Sequence, residues 1–242
     1  MGFESMSTSE PYEAASQKLR RAAAHINALV GSIESYFRTD WYTCQFGRDE
    51  SGQYSLKVHI RGQPEDFGLI VGDAIHNMRA ALDLLAVEAV VRNSGNNKNV
   101  YFPFSDAAET LEEMIKRRHF DRASVTDQNR IRELRPYTDG NHLLRALHDL
   151  DIQDKHHTLI PHASLVTTPK VGVKLDAAGN PVGFGEGELE LEVDPNEPPT
   201  VQFTFPQDSI LAGQEVLKIL QQFHELVSEI VGSFAQHVPA VS

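Results

Sequence analysis

The chain has 242 residues, 40% of them hydrophobic, with 22 Lys and Arg against 34 Asp and Glu, for a formal net charge of −12. That balance argues against a general nucleic-acid coat, because phosphate binding draws on Lys and Arg, and no run approaches the roughly 20 apolar residues of a membrane-spanning helix. The single cysteine, Cys44, excludes an intrachain disulfide and a Cys-rich zinc centre and fits a cytoplasmic protein.

Residues 1–13 are polar and acidic and lack the basic and apolar regions of a signal peptide. Met6 breaks the myristoylation pattern that Met1-Gly2 begins. Residues 1–10 are expected to be disordered and 11–242 to form one domain. From 12 to 38, Leu19, Ala22, Ala23, Ile26, Leu29, Val30, Ile33 and Phe37 recur at helical spacing, which predicts a long amphipathic helix. Residues 41–46 and 54–60 read as two strands of a hairpin about a turn at 47–52. A helix over 66–92 follows, ended by Asn93-Ser94-Gly95-Asn96-Asn97. A short extended piece at 100–104 holds Pro103. Helices are predicted at 107–118 and at 126–134, the second stopped by Arg135-Pro136, and another from 141 to 156.

Residues 158–206 change character, with strands expected at 159–166, 171–175, 189–193 and 201–205. The alternation over 188–193 predicts one buried sheet face and one acidic, wet face. A closing helix is predicted over 209–237, with a stripe of Ile210, Val216, Leu217, Leu220, Phe223, Val227, Ile230, Val231 and Phe234. Strands do not alternate regularly with helices, so a doubly wound sheet is not expected. The expected fold class is α+β: a bundle of about four long helices (11–38, 66–157, 209–237) with an antiparallel β-sheet packed beside it (strands in 41–61 and 158–206). The two terminal helices are expected to pack near one another.

Two predicted helices carry the same cargo. His76, Arg79 and Asp83 fall at i, i+3 and i+7, on one helical face. His148, Asp151 and Lys155 repeat that spacing. Polar stripes in otherwise apolar helices need partners, and the natural partner of one is the other. The candidate site residues are therefore His76, Arg79, Asp83, His148, Asp151, Asp154 and Lys155, with Asn77 beside the first stripe. One interpretation is an acid–base or ligand-binding site, with a histidine titrating near neutral pH. The other is structural: Arg79 pairs with Asp83 at i, i+4, and a histidine bonds to backbone. A divalent metal at His76, His148 and Asp154 suits imidazole and carboxylate donors, but no two histidines here lie four residues apart, the familiar ligand spacing. His156 and His157 are adjacent, so one helix does not aim both at one point. Lys116-Arg117-Arg118-His119, with Arg122, Arg130, Arg132 and Arg135, forms the one basic patch, read as a solvated helix end. The nucleophile-elbow, P-loop and dinucleotide-binding patterns are absent.

The stretch Gly72-Asp73-Ala74-Ile75-His76-Asn77-Met78-Arg79-Ala80-Ala81-Leu82-Asp83-Leu84-Leu85-Ala86 resembles the "GD-hydrophobic-x-HNLRSALDHLA" signature of a widespread, uncharacterised bacterial and phage family. Phe102-Pro103-Phe104, Arg135-Pro136-Tyr137 and the segment Leu147-His148-Asp149-Leu150-Asp151-Ile152-Gln153-Asp154-Lys155-His156 resemble its other blocks in order. The matches span roughly residues 70–160. Leu84 stands where the signature often has His. The resemblance implies no activity. A helical bundle with Arg and His on facing helices is also similar to HEPN-type proteins, often metal-independent ribonucleases of defence and toxin systems. Their hallmark is Arg, four to six residues, then His; Arg135 and His142 match the count, with Pro136 and Gly140 between them.

The reading favoured by the sequence is a binding or regulatory module, with no cofactor, whose stripes join two helices. The alternative is a HEPN-like ribonuclease or other phosphodiester hydrolase, in which a histidine acts as general base and Arg79 or Lys155 stabilises phosphate charge. A homodimer and a local RNA site both remain compatible with the sequence; a membrane does not.

Overall fold

The amphipathic repeat near the N-terminus forms α1, Glu13–Phe37, in the computed structural model, which describes residues 10–48, 54–62, 64, 66–156, 161–174, 176–180, 182, 191–194 and 196–236. Ala15, Leu19, Ala22, Ile26 and Leu29 bury one stripe of α1. Of residues 1–10, expected to be disordered, 1–9 lie outside the described residues.

A hairpin follows, β1 (Tyr42–Arg48) and β2 (Tyr54–Ile60), antiparallel with Cys44 opposite Val58. The next helix, α2 (Phe67–Ser94), is the centre of the molecule. Phe67, Val71, Ala74, Ile75, Met78, Ala81, Leu82, Leu85 and Ala89 are fully buried. Apolar residues run almost all the way round it, as they do in a helix covered on several sides. Gly95 ends it in the left-handed region (φ 73°), its N–H bonding the Val91 carbonyl.

The extended piece at 100–104 joins no ladder. Its backbone bonds go elsewhere: the Phe102 N–H to Asp83 Oδ1 (2.9 Å), while the Ser105 N–H reaches the Pro136 carbonyl (3.0 Å). The helix predicted over 107–118 divides into a 3₁₀ turn, Ala108–Thr110, and α3, Leu111–Arg117. Then α4 (Val125–Leu134) begins on Ser124, whose hydroxyl accepts the Asp127 N–H at 3.1 Å. It stops at Arg135, held at φ 51° before Pro136. Gly140 lets the next loop close, since a Cβ there would run into the Arg135 carbonyl. Asn141 then caps α5 (His142–His156) by accepting the Leu144 N–H at 3.0 Å.

The class is α+β, with six α-helices and antiparallel strand pairs among the described residues. Among the described residues the strands do not form the one sheet expected but make three separate two-stranded ladders. Besides β1–β2, strand β3 (His162–Thr167) pairs with β6 (Thr200–Thr204), and inside that pair β4 (Val171–Val173) pairs with β5 (Leu191–Val193). The acidic alternation at 188–190 lies outside the described residues. Phe203 of β6 joins Tyr36, Phe37 and Phe67 in an aromatic cluster, with Trp41 packed on the two α1 rings. That cluster ties the β3–β6 ladder to α1 and α2.

The last helix, α6 (Val216–Ala235), starts seven residues later than its periodicity predicts. Residues 206–214 instead turn through Gly213 (φ 73°), with the Phe205 N–H on the Gln214 carbonyl and the Gly213 N–H on the Phe205 carbonyl. Ile210, expected in the stripe, is exposed. The terminal helices do meet: His224 Nε2 lies 3.2 Å from the Leu19 carbonyl, and Tyr12 packs edge-on to Phe234. No helix among the described residues is long and apolar enough to cross a membrane.

Candidate functional site

The stripes of α2 and α5 face each other in antiparallel order, one helical turn at a time. Gly72 meets Asp154, His76 meets Asp151, and Arg79 meets His148. The chemistry changes from one turn to the next.

At the middle level His76 Nδ1 lies 3.0 Å from Asp151 Oδ1, and Lys155 Nζ lies 2.6 Å from Asp151 Oδ2. A carboxylate only accepts, so Nδ1 carries a proton, and in the neutral ring the lone pair is on Nε2. The Asp151 side chain is 4% exposed, whereas those of His76 and Lys155 are 55% and 56% exposed. A buried anion thus holds an open imidazole in one tautomer, with an ammonium anchored beside it. Nothing among the described residues hydrogen-bonds to His76 Nε2.

One turn on, the arrangement is inverted. Arg79 Nε donates to His148 Nδ1 at 3.2 Å, so the His148 proton sits on Nε2. The His148 ring lies flat on Phe104, 3° from parallel with centroids 4.3 Å apart. The Arg79 guanidinium carbon is 4.6 Å from the same ring centroid. Burial first, and then the charges of Arg79 and Arg145, push the His148 pKa from 6.5 down to about 3. His148 is therefore neutral near pH 7, and its one lone pair is engaged, which leaves it unequipped as a general base. Arg79 Nη1 sits 2.7 Å from Asp83 Oδ1, but its N–H bonds point off the carboxylate, so this nitrogen is buried with a charge neighbour and no hydrogen bond. Asp83 uses the same oxygen to accept the Phe102 N–H.

At the third level Gly72 allows the close approach of the helices, because a Cβ would overlap the Asp154 carboxylate. Gly72→Ala is expected to lose about 1 kcal/mol net, as the helix propensity gained offsets part of the overpacking. In an Asp154→Ala background the same change is expected to be neutral or stabilising. Urea unfolding of the four proteins in the cycle measures the coupling, and equal effects in both backgrounds would contradict the contact.

Sequence reasoning missed Lys18, His25 and Arg145. Lys18 and His25 share the i, i+7 spacing of the two stripes, which was the available signal. Lys18 Nζ donates to Asn77 Oδ1 (3.3 Å), Asn77 Nδ2 donates to the Asp73 carbonyl (2.8 Å), and His25 lies 3.9 Å from the Asp73 carboxylate. Arg145 binds the Ser105 carbonyl (2.6 Å), Asp106 (2.9 Å) and Asp149. Through it, the 102–105 loop that supplies Phe104 is clamped to α5.

Other candidates are not brought together. His156 is the last residue of α5, and His157 lies outside the described residues. The proposed metal ligands His76, His148 and Asp154 sit on three successive levels. No group of three or more His, Cys, Asp or Glu converges among the described residues, and His148 Nδ1 is already occupied by Arg79. The basic patch is largely spent on the fold. Arg132 pairs with Glu112, Arg130 with Asp127, and Arg118 lies over Tyr101. Arg122 donates to the Lys98 carbonyl. Arg135 precedes the break between α4 and α5, and His142 opens α5, so this pair does not share a helix.

Fold and site together describe an α+β protein organised on a polar seam between its central helix and α5. No protein-family model, curated protein or solved structure matches the chain.

Proposed function

We propose that this protein is a binding or regulatory module in which the four longer helices act as one bundle. The Arg79–His148 level fixes the register of α2 on α5, and the open His76–Asp151–Lys155 level is the contact surface. The observation that carries this is the split along the seam: His148 is stacked and already hydrogen-bonded, while the His76 side chain is half-exposed and its Nε2 has no hydrogen-bond partner among the described residues. The segments resembling the bacterial and phage family also support it, because they contact one another. Asp83 holds Phe102, Phe104 carries His148, and Ser105 reaches Pro136. Such residues serve mutual support as well as chemistry.

One observation favours the hydrolase alternative. A buried carboxylate behind an exposed imidazole is also how a general base is held in the correct tautomer, and Lys155 would offset phosphate charge. An RNA oligonucleotide assay with His76→Ala separates the two. The module reading expects no cleavage by the wild-type protein, and a His76→Ala stability loss of about 1–3 kcal/mol, because buried Asp151 then keeps only Lys155 as a partner. The hydrolase reading expects cleavage that falls about 100-fold or more in the variant. Wild-type cleavage lost with His76 would overturn the module.

A further inference from the structure

We propose that His76 is a phosphoacceptor: its Nε2 takes a phosphoryl group from an acyl phosphate, and the new charge regulates what this face contacts. The proposal rests on the module reading above and names the regulation of that same site.

Three features of the geometry point to nucleophilic attack by His76. The first is the tautomer. With Nδ1–H given to Asp151 at 3.0 Å, the lone pair of the neutral ring is on Nε2, the ring nitrogen that faces away from the carboxylate. The second is access. The His76 side chain is 55% exposed in the middle of a helix, where a bulky donor can reach it. The third is charge. Buried Asp151 is bonded to both the imidazole and Lys155, so an ammonium is anchored beside the ring, where it offsets a phosphoryl dianion. The opposing charges are Asp73, one turn earlier on α2 and facing His25 of α1, and Asp154, held against Gly72.

The class of donor follows from the demand it makes on the site. An acyl phosphate loses a carboxylate, which departs without a proton, so attack by Nε2 needs no general acid. Lys155 stays hydrogen-bonded to Asp151. The Nε2 lone pair forms the N–P bond. The P–O bond to the acyl group breaks, and its electron pair leaves with the carboxylate. No proton moves. The Nδ1 proton stays between the ring and Asp151, whose charge balances the imidazolium character of the phosphorylated ring.

The test is labelling of the folded full chain with acetyl phosphate, followed by ³¹P NMR and peptide mapping for acid-labile, alkali-stable phosphate. The exposed His142 and His162 serve as internal controls. His76 is expected to label about tenfold faster than either control, and Asp151→Asn, which keeps the shape but removes the charge, to slow it by about tenfold. His76→Asn, at a half-exposed position, should remove that label alone with the melting temperature preserved. Labelling of His76 no faster than the controls, or equally fast in Asp151→Asn, overturns the proposal. If the oligonucleotide assay is then also negative, the module reading survives that failure. Continuous release of inorganic phosphate through labelled His76 would instead uphold the phosphoacceptor step and overturn the module.

Discussion

Arg79→Ala is expected to lower the unfolding free energy by about 3 kcal/mol, near the low end of what losing one member of a buried ion pair costs. Three groups lose a partner at once: His148 Nδ1 its donor, Asp83 its counter-charge and Phe104 the cation near its face. The low end applies because the Asp83 side chain is 30% exposed, so water recovers part of the loss. For a chain of this length, such a loss corresponds to a fall of about 6–12 °C in Tm. Arg79→Lys should recover little, since an ammonium has no planar fork to reach His148 and Asp83 together. Denaturant melts of the two variants measure both effects. A cost below about 1 kcal/mol, within the ordinary range for point mutants, would show that this level does not hold the helices in register.

The second large effect is one of acid. The His148 pKa lies at about 3 in the folded chain against an ordinary 6.5. The fold therefore favours the neutral ring, and the full contribution is present above the unfolded value. Between 6.5 and 3 the unfolded chain binds a proton that the folded chain refuses, so stability drops as pH falls through that window. The limiting slope is about 1.4 kcal/mol per pH unit for one proton, reduced to the extent that solvent reaches the ring. Carboxylates act in an overlapping range, so the informative quantity is a difference. His148→Gln is expected to show a shallower loss than wild type between about pH 4 and 6. Parallel slopes would place the acid sensitivity elsewhere.

Much of this architecture was legible where it is local. The α1 stripe, the Asn- and Gly-rich end of α2 and the Arg135-Pro136 stop each act over a few residues, and the corresponding elements appear within a few residues of their expected bounds. The same local reasoning misplaced the start of α6. Apolar periodicity runs back to Ile210, while a left-handed Gly213 and the backbone bonds that join Gly213 and Gln214 to Phe205 hold that stretch in turns. Strand partners were beyond reach for a related reason. β3 pairs with β6 across the intervening β4–β5 ladder, and alternation within a strand does not name its neighbour. At the seam, spacing showed that two stripes would meet. It did not show that they divide into a closed and an open level. That division comes from Phe104, delivered by a loop whose backbone is tied to Asp83 and Arg145, and such burial has no periodic trace in the chain. Lys18 and His25 were overlooked because α1 reads first as a hydrophobic stripe.

The meeting of the two terminal helices has a consequence for biosynthesis. His224 bonds to the Leu19 carbonyl 205 positions away, and Phe234 packs on Tyr12. On the ribosome α1 therefore emerges long before α6, and part of its apolar face stays uncovered until α6 follows. Contacts of such long sequence separation close late, because loop entropy must be overcome before they form. A nascent chain arrested just before residue 216 should hold α1 against α2 and yet display an uncovered strip along both helices, which makes it a natural client for a chaperone until α6 has emerged.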